Sequence, residues 1–196
     1  DPARVAWLLA HGANPEARVR SAPMPVAAAL ARGTAGIDNA RLLFARGASP
    51  AGAGGLAVYL AACLTEGFTD ARGEGFALEL LERGADPYAT SPAGDPPVAL
   101  AVRLHWPRLL QRLVAHGVDL DARDSHGMSA LHLAAALGRL DELKQLLAAG
   151  AAPDRRAADG QTPLGVALAA GRRDLAGWLD WRGWKLTWCA GRWSAW

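Results

Sequence analysis

A comb of glycines constrains this chain more than any other feature. The same short phrase closes on glycine six times: WLLAHG at Gly12, LLFARG at Gly47, LLERG at Gly84, LVAHG at Gly117, LLAAG at Gly150 and LDWRG at Gly183. The intervals are 35, 37, 33, 33 and 33 residues. A second series, Gly94, Gly127 and Gly160, keeps the same step of 33. Two glycine series in one register mark an internal repeat, and a repeat of this length is one supersecondary unit that stacks on copies of itself.

Each repeat predicts a pair of helices. In the clearest copy, Ser129 to Leu137 is a short apolar helix that Gly138 breaks, and Leu140 to Leu147 is a second helix. The leucines of the second recur at helical spacing with charges on the opposite face. Gly150 ends it, because the residue just past a helix often needs the left-handed conformation that glycine enters without steric cost. Ala151-Ala152-Pro153-Asp154 then leads into an extended turn. One such pair cannot bury its apolar face alone, so neighbours must stack, and 44 alanines supply small side chains for close approach. Val, Ile and Thr together number only 16, too few for a protein built mainly of strands.

Composition removes several function classes. A hydrophobic fraction of 51% excludes a disordered chain. No apolar run reaches the roughly 18 to 20 residues that span a bilayer, so no membrane insertion by this segment is expected. The net charge is +2, divided as −2 over residues 1–98 and +4 over 99–196, without the clustered Arg and Lys of a nucleic-acid footprint. Arg155-Arg156 and Arg172-Arg173 read as solvated edges. Cys63 and Cys189 lack metal-ligand spacing and do not demand a bridge, which makes a reducing, cytoplasmic location the expectation. No His-x-x-x-His, Cys-x-x-Cys or phosphate-type glycine loop occurs, so neither metal nor cofactor is expected. Scattered serines such as Ser91, Ser125 and Ser129 have no identifiable base and orienting acid. The bias to Ala, Arg, Gly and Pro over Lys, Ile and Asn is that of a GC-rich coding sequence, which suggests a bacterial source.

At residues 124–135 the chain resembles the ankyrin repeat. Asp124-Ser125-His126-Gly127-Met128-Ser129-Ala130-Leu131-His132-Leu133-Ala134-Ala135 follows the family phrase of Asp, Gly and Thr-Pro-Leu-His-x-Ala-Ala. Asp159-Gly160-Gln161-Thr162-Pro163-Leu164 supplies the Thr-Pro-Leu but has Gly165 in place of His, and Gly94 with Pro96 to Ala101 is a weaker copy. The resemblance covers residues 1 to about 184. It implies an all-α solenoid of stacked helix-turn-helix units joined by β-hairpin-like loops. The expected divisions are a partial unit 1–17, units at about 18–50, 51–87, 91–123, 124–156 and 157–184, and a tail over 185–196. His132 would then hydrogen-bond within its turn beside Ser129. His11 and His116 share one place beside a terminating glycine, where a cation favours a helix C-terminus.

Several departures stand out. Asp1 to Gly12 reads as only the second helix of a unit, so the array is expected to continue upstream. The second unit carries about two extra residues around Gly33-Thr34-Ala35-Gly36, and the third inserts about seven within Thr65 to Gly75. Insertions in repeat proteins are pushed into surface loops and often sit at a binding face, which singles out Phe68, although a tolerated loop is the plainer reading. Asp180 falls where Leu147 and Val114 are expected to be buried. Six of the eight tryptophans lie between 178 and 196. Three readings of that tail stay open: a cap in which Trp178 and Trp181 cover the last repeat, a docking segment, or a product of truncation.

The resemblance implies a non-catalytic module that binds another protein through the concave side, formed by hairpin tips and the adjacent side of each first helix. By register, the candidates are Arg103 and Leu104 in the fourth unit, Asp124, His126, Met128 and Leu137 in the fifth, and Gln161 in the sixth. Ser91, Ala93, Asp95, Ser125, Ala136, Ala157, Asp159, Ala169 and Ala170 flank them. Trp106 reads as a packing residue and Pro107 as the first residue of a helix. The alternative is a targeting or regulatory segment of a larger enzyme or of a membrane-anchored protein.

Overall fold

Proline opens five of the helices, where its missing N–H costs nothing and its fixed φ suits the first turn. These are α1 (Pro2–Ala10), α2 (Pro25–Leu30), α6 (Pro97–Leu104), α7 (Pro107–Ala115) and α10 (Pro163–Ala169). The others are α3 (Ile37–Phe44), α4 (Gly55–Glu66), α5 (Ala71–Glu82), α8 (Ala130–Leu137), α9 (Leu140–Ala148) and α11 (Arg173–Trp181). The computed structural model describes residues 1–18, 23–51, 54–67, 71–181, 186–189 and 192–195, and from residue 180 onward it describes the backbone alone. The all-α repeat architecture expected from the glycine comb is the one observed. Two short strands, Leu186–Cys189 and Arg192–Ala195, pair antiparallel with Leu186 opposite Ala195.

The comb glycines stand where the backbone needs them. Gly12, Gly47, Gly84, Gly117 and Gly150 all have φ between 72° and 97°, and the second series, Gly94, Gly127 and Gly160, between 76° and 92°. A third series separates the two helices of a pair: Gly138 at φ 73° and Gly171 at φ 70°, with His105 at φ 59° in the equivalent place.

The chain forms two compact bodies, Asp1–Pro92 and Ala93–Trp196. In the first, α2 packs on α3, α4 on α5, and α2 on α4. The two extra residues form a 3₁₀ turn over Gly33–Gly36. Gly36 is required there, since a Cβ would lie 1.8 Å from the Ala29 carbonyl oxygen. The insertion in the next pair differs from the expected surface loop. It lengthens both helices to 12 residues, against 8 or 9 in most of the others. Only residues 68–70, which include Phe68, lie between Gly67 and α5, and they fall outside the described residues. The longer helices bury Tyr59 and Phe76 edge to face at 5.2 Å, and Tyr59 Oη donates to the Gly73 carbonyl. Glu79 ties α5 to α3 by accepting from Arg41 at 2.8 Å and bonds Arg83 at 3.0 Å. Burial raises its pKa, but the two guanidiniums outweigh that and hold it below the usual carboxylate range.

In the second body the first helices α6, α8 and α10 pack in sequence, and each packs on its own second helix. Ala99, Ala101, Ala130, Ala134, Ala135 and Ala167 are buried, which is the close approach that alanine permits. Trp106 is also buried, at 1% exposure, as a packing residue. Val114 and Leu147 are half-buried rather than buried, because the adjacent Leu113 and Leu146 take the inward-facing position. The Asp180 side chain at the equivalent position falls outside the described residues, as does that of Trp181. Trp178 is half-buried, with Lys144 Nζ 5.7 Å from its ring centre. Among the described residues no helix is long and apolar enough to cross a membrane.

Candidate functional site

Two hairpin tips of the second body share a backbone hydrogen bond and an aspartate that accepts from the turn. Asp124 starts the turn of its tip: its Oδ1 accepts from the backbone N–H of His126 and of Met128, each at 2.9 Å. The Asp124 N–H donates to the Met128 carbonyl at 2.8 Å, and Gly127 supplies the left-handed residue in the bend. The next tip keeps the backbone bond, Ala157 N–H on the Gln161 carbonyl at 2.8 Å, but Ala157 stands in the place of Asp124, and Asp159, two residues on, accepts from the Gln161 N–H at 3.0 Å.

Adjacent tips are tied together. Ser125 N–H donates to Asp95 Oδ1 at 2.9 Å, and Ala158 N–H donates to the Gly127 carbonyl at 3.0 Å. Arg103, from the last turn of α6, reaches across to Asp124, with Nη2 2.5 Å from Oδ2 and Nη1 3.9 Å from Asp95 Oδ2. The Asp124 side chain is fully buried and that of Arg103 is 18% exposed. Burial raises the pKa of Asp95, but the hydrogen bonds from Ser125 and the charge of Arg103 outweigh it, so the group sits below its ordinary value. The row of tips is thus braced from beneath by a carboxylate–guanidinium network.

His132 holds the start of α8. Its Nδ1 accepts from the Ser129 hydroxyl at 2.8 Å and faces the Ser129 N–H at 3.4 Å, while Nε2–H donates to the Gln161 carbonyl at 3.1 Å. The ring is fully buried, and burial lowers its pKa more than the Gln161 bond raises it. It joins its own turn to the next repeat, the structural role the resemblance implied.

The candidates selected by register fall into two groups. His126, with 65% of its side chain exposed, and Leu137, at 40%, face solvent, and Met128 and Gln161 are half-buried. Leu104 is fully buried in the core, and Asp124 and most of Arg103 lie beneath the tips. Register places a residue on a helix but does not say whether the neighbouring repeat covers it. Leu168, 41% exposed near the end of α10, joins the exposed group although register selects only the alanines beside it.

A further contact lies outside the residues that register selects. His105 closes α6 in the left-handed conformation and its Nδ1 meets a carboxylate oxygen of buried Glu142 on α9. The sequence does carry a signal for it: Gly138 and Gly171 stand 33 and 66 residues after His105, so a histidine interrupts a glycine series. A residue that accepts αL strain there needs a compensating partner, and Glu142 supplies it.

Catalytic chemistry finds little support in this geometry. Ser125 Oγ is 3.2 Å from His126 Nδ1, but Arg103 Nη2 donates to the same nitrogen at 3.1 Å. Asp124 also lies on that side of the ring, 3.9 Å from Nδ1, and does not orient Nε2 as a triad acid would. Asp95, Asp124 and His126 place potential metal-ligand atoms within 4.8 Å of one another. The Arg103 guanidinium already stands among them, so a metal ion would have to displace a cation held by the same oxygens.

Comparison with known proteins agrees with this geometry. Residues 68–157 and 98–180 match the family model described as ankyrin repeats, three copies. No curated protein matches the chain.

Proposed function

The chain belongs to the ankyrin-repeat family, and we propose that its second body binds a partner protein through the face made by the hairpin tips and the first helices. Ankyrin repeats generally act as protein–protein interaction modules, and the finer assignment rests on one observation. His126, Met128 and Gln161 stand on tips whose backbones are locked by Asp124, Asp159 and the tip-to-tip hydrogen bonds. Contacts held in place before binding lose little entropy when a partner docks. Leu137 and Leu168 add exposed apolar side chains near the ends of the first helices. The face is one of recognition rather than bond breaking.

Arg103 and Asp124 act in this reading as positioning residues, and the contacts fall to His126, Met128, Leu137 and Gln161. The test replaces His126, Leu137 and Gln161 together with Ala and measures partner capture beside the thermal midpoint. Lost capture with an unchanged midpoint is expected. Undiminished capture by the folded variant removes the assignment.

A further inference from the structure

Three arginines stand where the local structure has no use for a cation. Arg139 is the N-cap of α9, and Arg173 is the first residue of α11 with Arg172 directly before it. The start of a helix favours negative charge, and an N-cap favours a side chain that accepts a hydrogen bond. Arg139 makes no capping bond, and its Nε is buried with no hydrogen-bond partner among the described residues. Arg172 serves the fold in part, because its Nε donates to the Ala136 carbonyl at 3.2 Å near the end of α8. None of the three forms an ion pair among the described residues, although Asp141 and Asp174 follow closely in the chain.

These cations share their place with exposed apolar side chains. Leu137, the last residue of α8, is 40% exposed, and Leu168, in the last turn of α10, is 41% exposed. Helices α8 and α10 pack on each other. The stem of Arg172 lies against the turn that joins Leu137 to Arg139, since its Cδ is 3.2 Å from where a Cβ on Gly138 would stand. One exposed leucine needs no explanation. Two of them beside three guanidiniums without carboxylate partners form a surface that is apolar and cationic at once. Against the three arginines stand the carboxylates of Asp141 and Asp174, so the patch keeps a net charge of +1.

We infer that the ends of α8 and α10 dock an acidic segment of a partner protein, in which aspartate or glutamate side chains flank a large apolar residue. The apolar residue rests on Leu137 and Leu168, and the flanking carboxylates meet Arg139, Arg172 and Arg173. Guanidiniums suit this task because their planar fork binds a carboxylate through two parallel hydrogen bonds. The inference rests on the partner-binding reading above and names the chemistry of the partner. The two can fail separately, because the tip variant is tested with the partner itself and the patch with a synthetic peptide.

The test titrates the whole chain with acetyl-Glu-Glu-Leu-Glu-Glu-amide and follows backbone amide NMR shifts, with acetyl-Lys-Lys-Leu-Lys-Lys-amide as the control. Shifts confined to residues 137–139 and 168–174, fading as salt is raised, are expected from the glutamate peptide alone. Arg139→Ser and Arg173→Glu carry the readout that a structural role would not produce, because each places at a helix start a residue the helix prefers. Both are expected to keep or raise the thermal midpoint while weakening the peptide about three- to tenfold. A lowered midpoint with unchanged peptide binding overturns the inference, and so does a glutamate peptide that gives no shifts or the same shifts as the lysine peptide. Shifts caused by phosphatidylglycerol vesicles, with the glutamate peptide silent, would assign the patch to an anionic membrane surface and also overturn it.

Discussion

Arg103 Nη2 lies 2.5 Å from Asp124 Oδ2, joining the first helix of one repeat to the hairpin tip of the next. The carboxylate is fully buried, so removing the guanidinium leaves a charge without its partner. Arg103→Ala is expected to destabilise the protein by about 1.5 to 3 kcal/mol, the range for a hydrogen bond to a charged group. Asp124→Asn keeps an acceptor for the N–H groups of His126 and Met128 and is expected to cost less. Urea midpoints of the two variants check the order, and equal losses would place the stabilisation in the turn instead of the ion pair.

Two comb glycines separate backbone strain from crowding. Gly150 has φ 97° and open space around it, with nothing within 4 Å of where a Cβ would stand. At Gly127, φ 76°, a Cβ would lie 2.3 Å from Ala158 Cβ in the next tip. Gly150→Ala is expected to cost about 1 to 2 kcal/mol, the left-handed penalty alone. Gly127→Ala carries a comparable penalty and must also push the tips apart, so its loss is larger. Thermal denaturation of both variants reads the difference.

His132 makes stability depend on pH near neutrality. Burial holds its folded pKa below that of the unfolded chain. The unfolded state therefore takes up a proton first as pH falls, so this contribution is complete above about pH 6.5 and declines below it. The urea midpoint is expected to fall between about pH 7.5 and about pH 5, and His132→Gln to be weaker at the upper pH with a flatter profile. Asp95 and Glu79, both held below their ordinary values, act in a separate window, below about pH 4. An unchanged slope in His132→Gln would assign the titration elsewhere.

How much of this is legible in the sequence differs from residue to residue. The helix pairs and the glycine turns follow from spacing, because a left-handed residue is a local requirement, and the part played by His132 follows from the resemblance of its phrase to the ankyrin repeat. Burial is not local. Leu104 and Leu137 share one register position, yet Leu104 is fully buried and Leu137 is 40% exposed. The insertion departs from the expected loop because its residues continue the helical spacing on both sides, so α4 and α5 absorb it. Asp124 belongs to the family phrase, but only the three-dimensional neighbour Arg103 reveals it as a brace beneath the face.

The tips and first helices of the second body are expected to meet a partner. Photo-crosslinking tests it most directly, with a benzophenone side chain placed singly at His126, Leu137 or Gln161 and, as controls, at Arg108 or Arg112 on the exposed side of α7. The first three positions are all expected to give a covalent adduct with the same polypeptide in lysate of the source cell, and the α7 positions none. Adducts at α7 with none at the tips would contradict it.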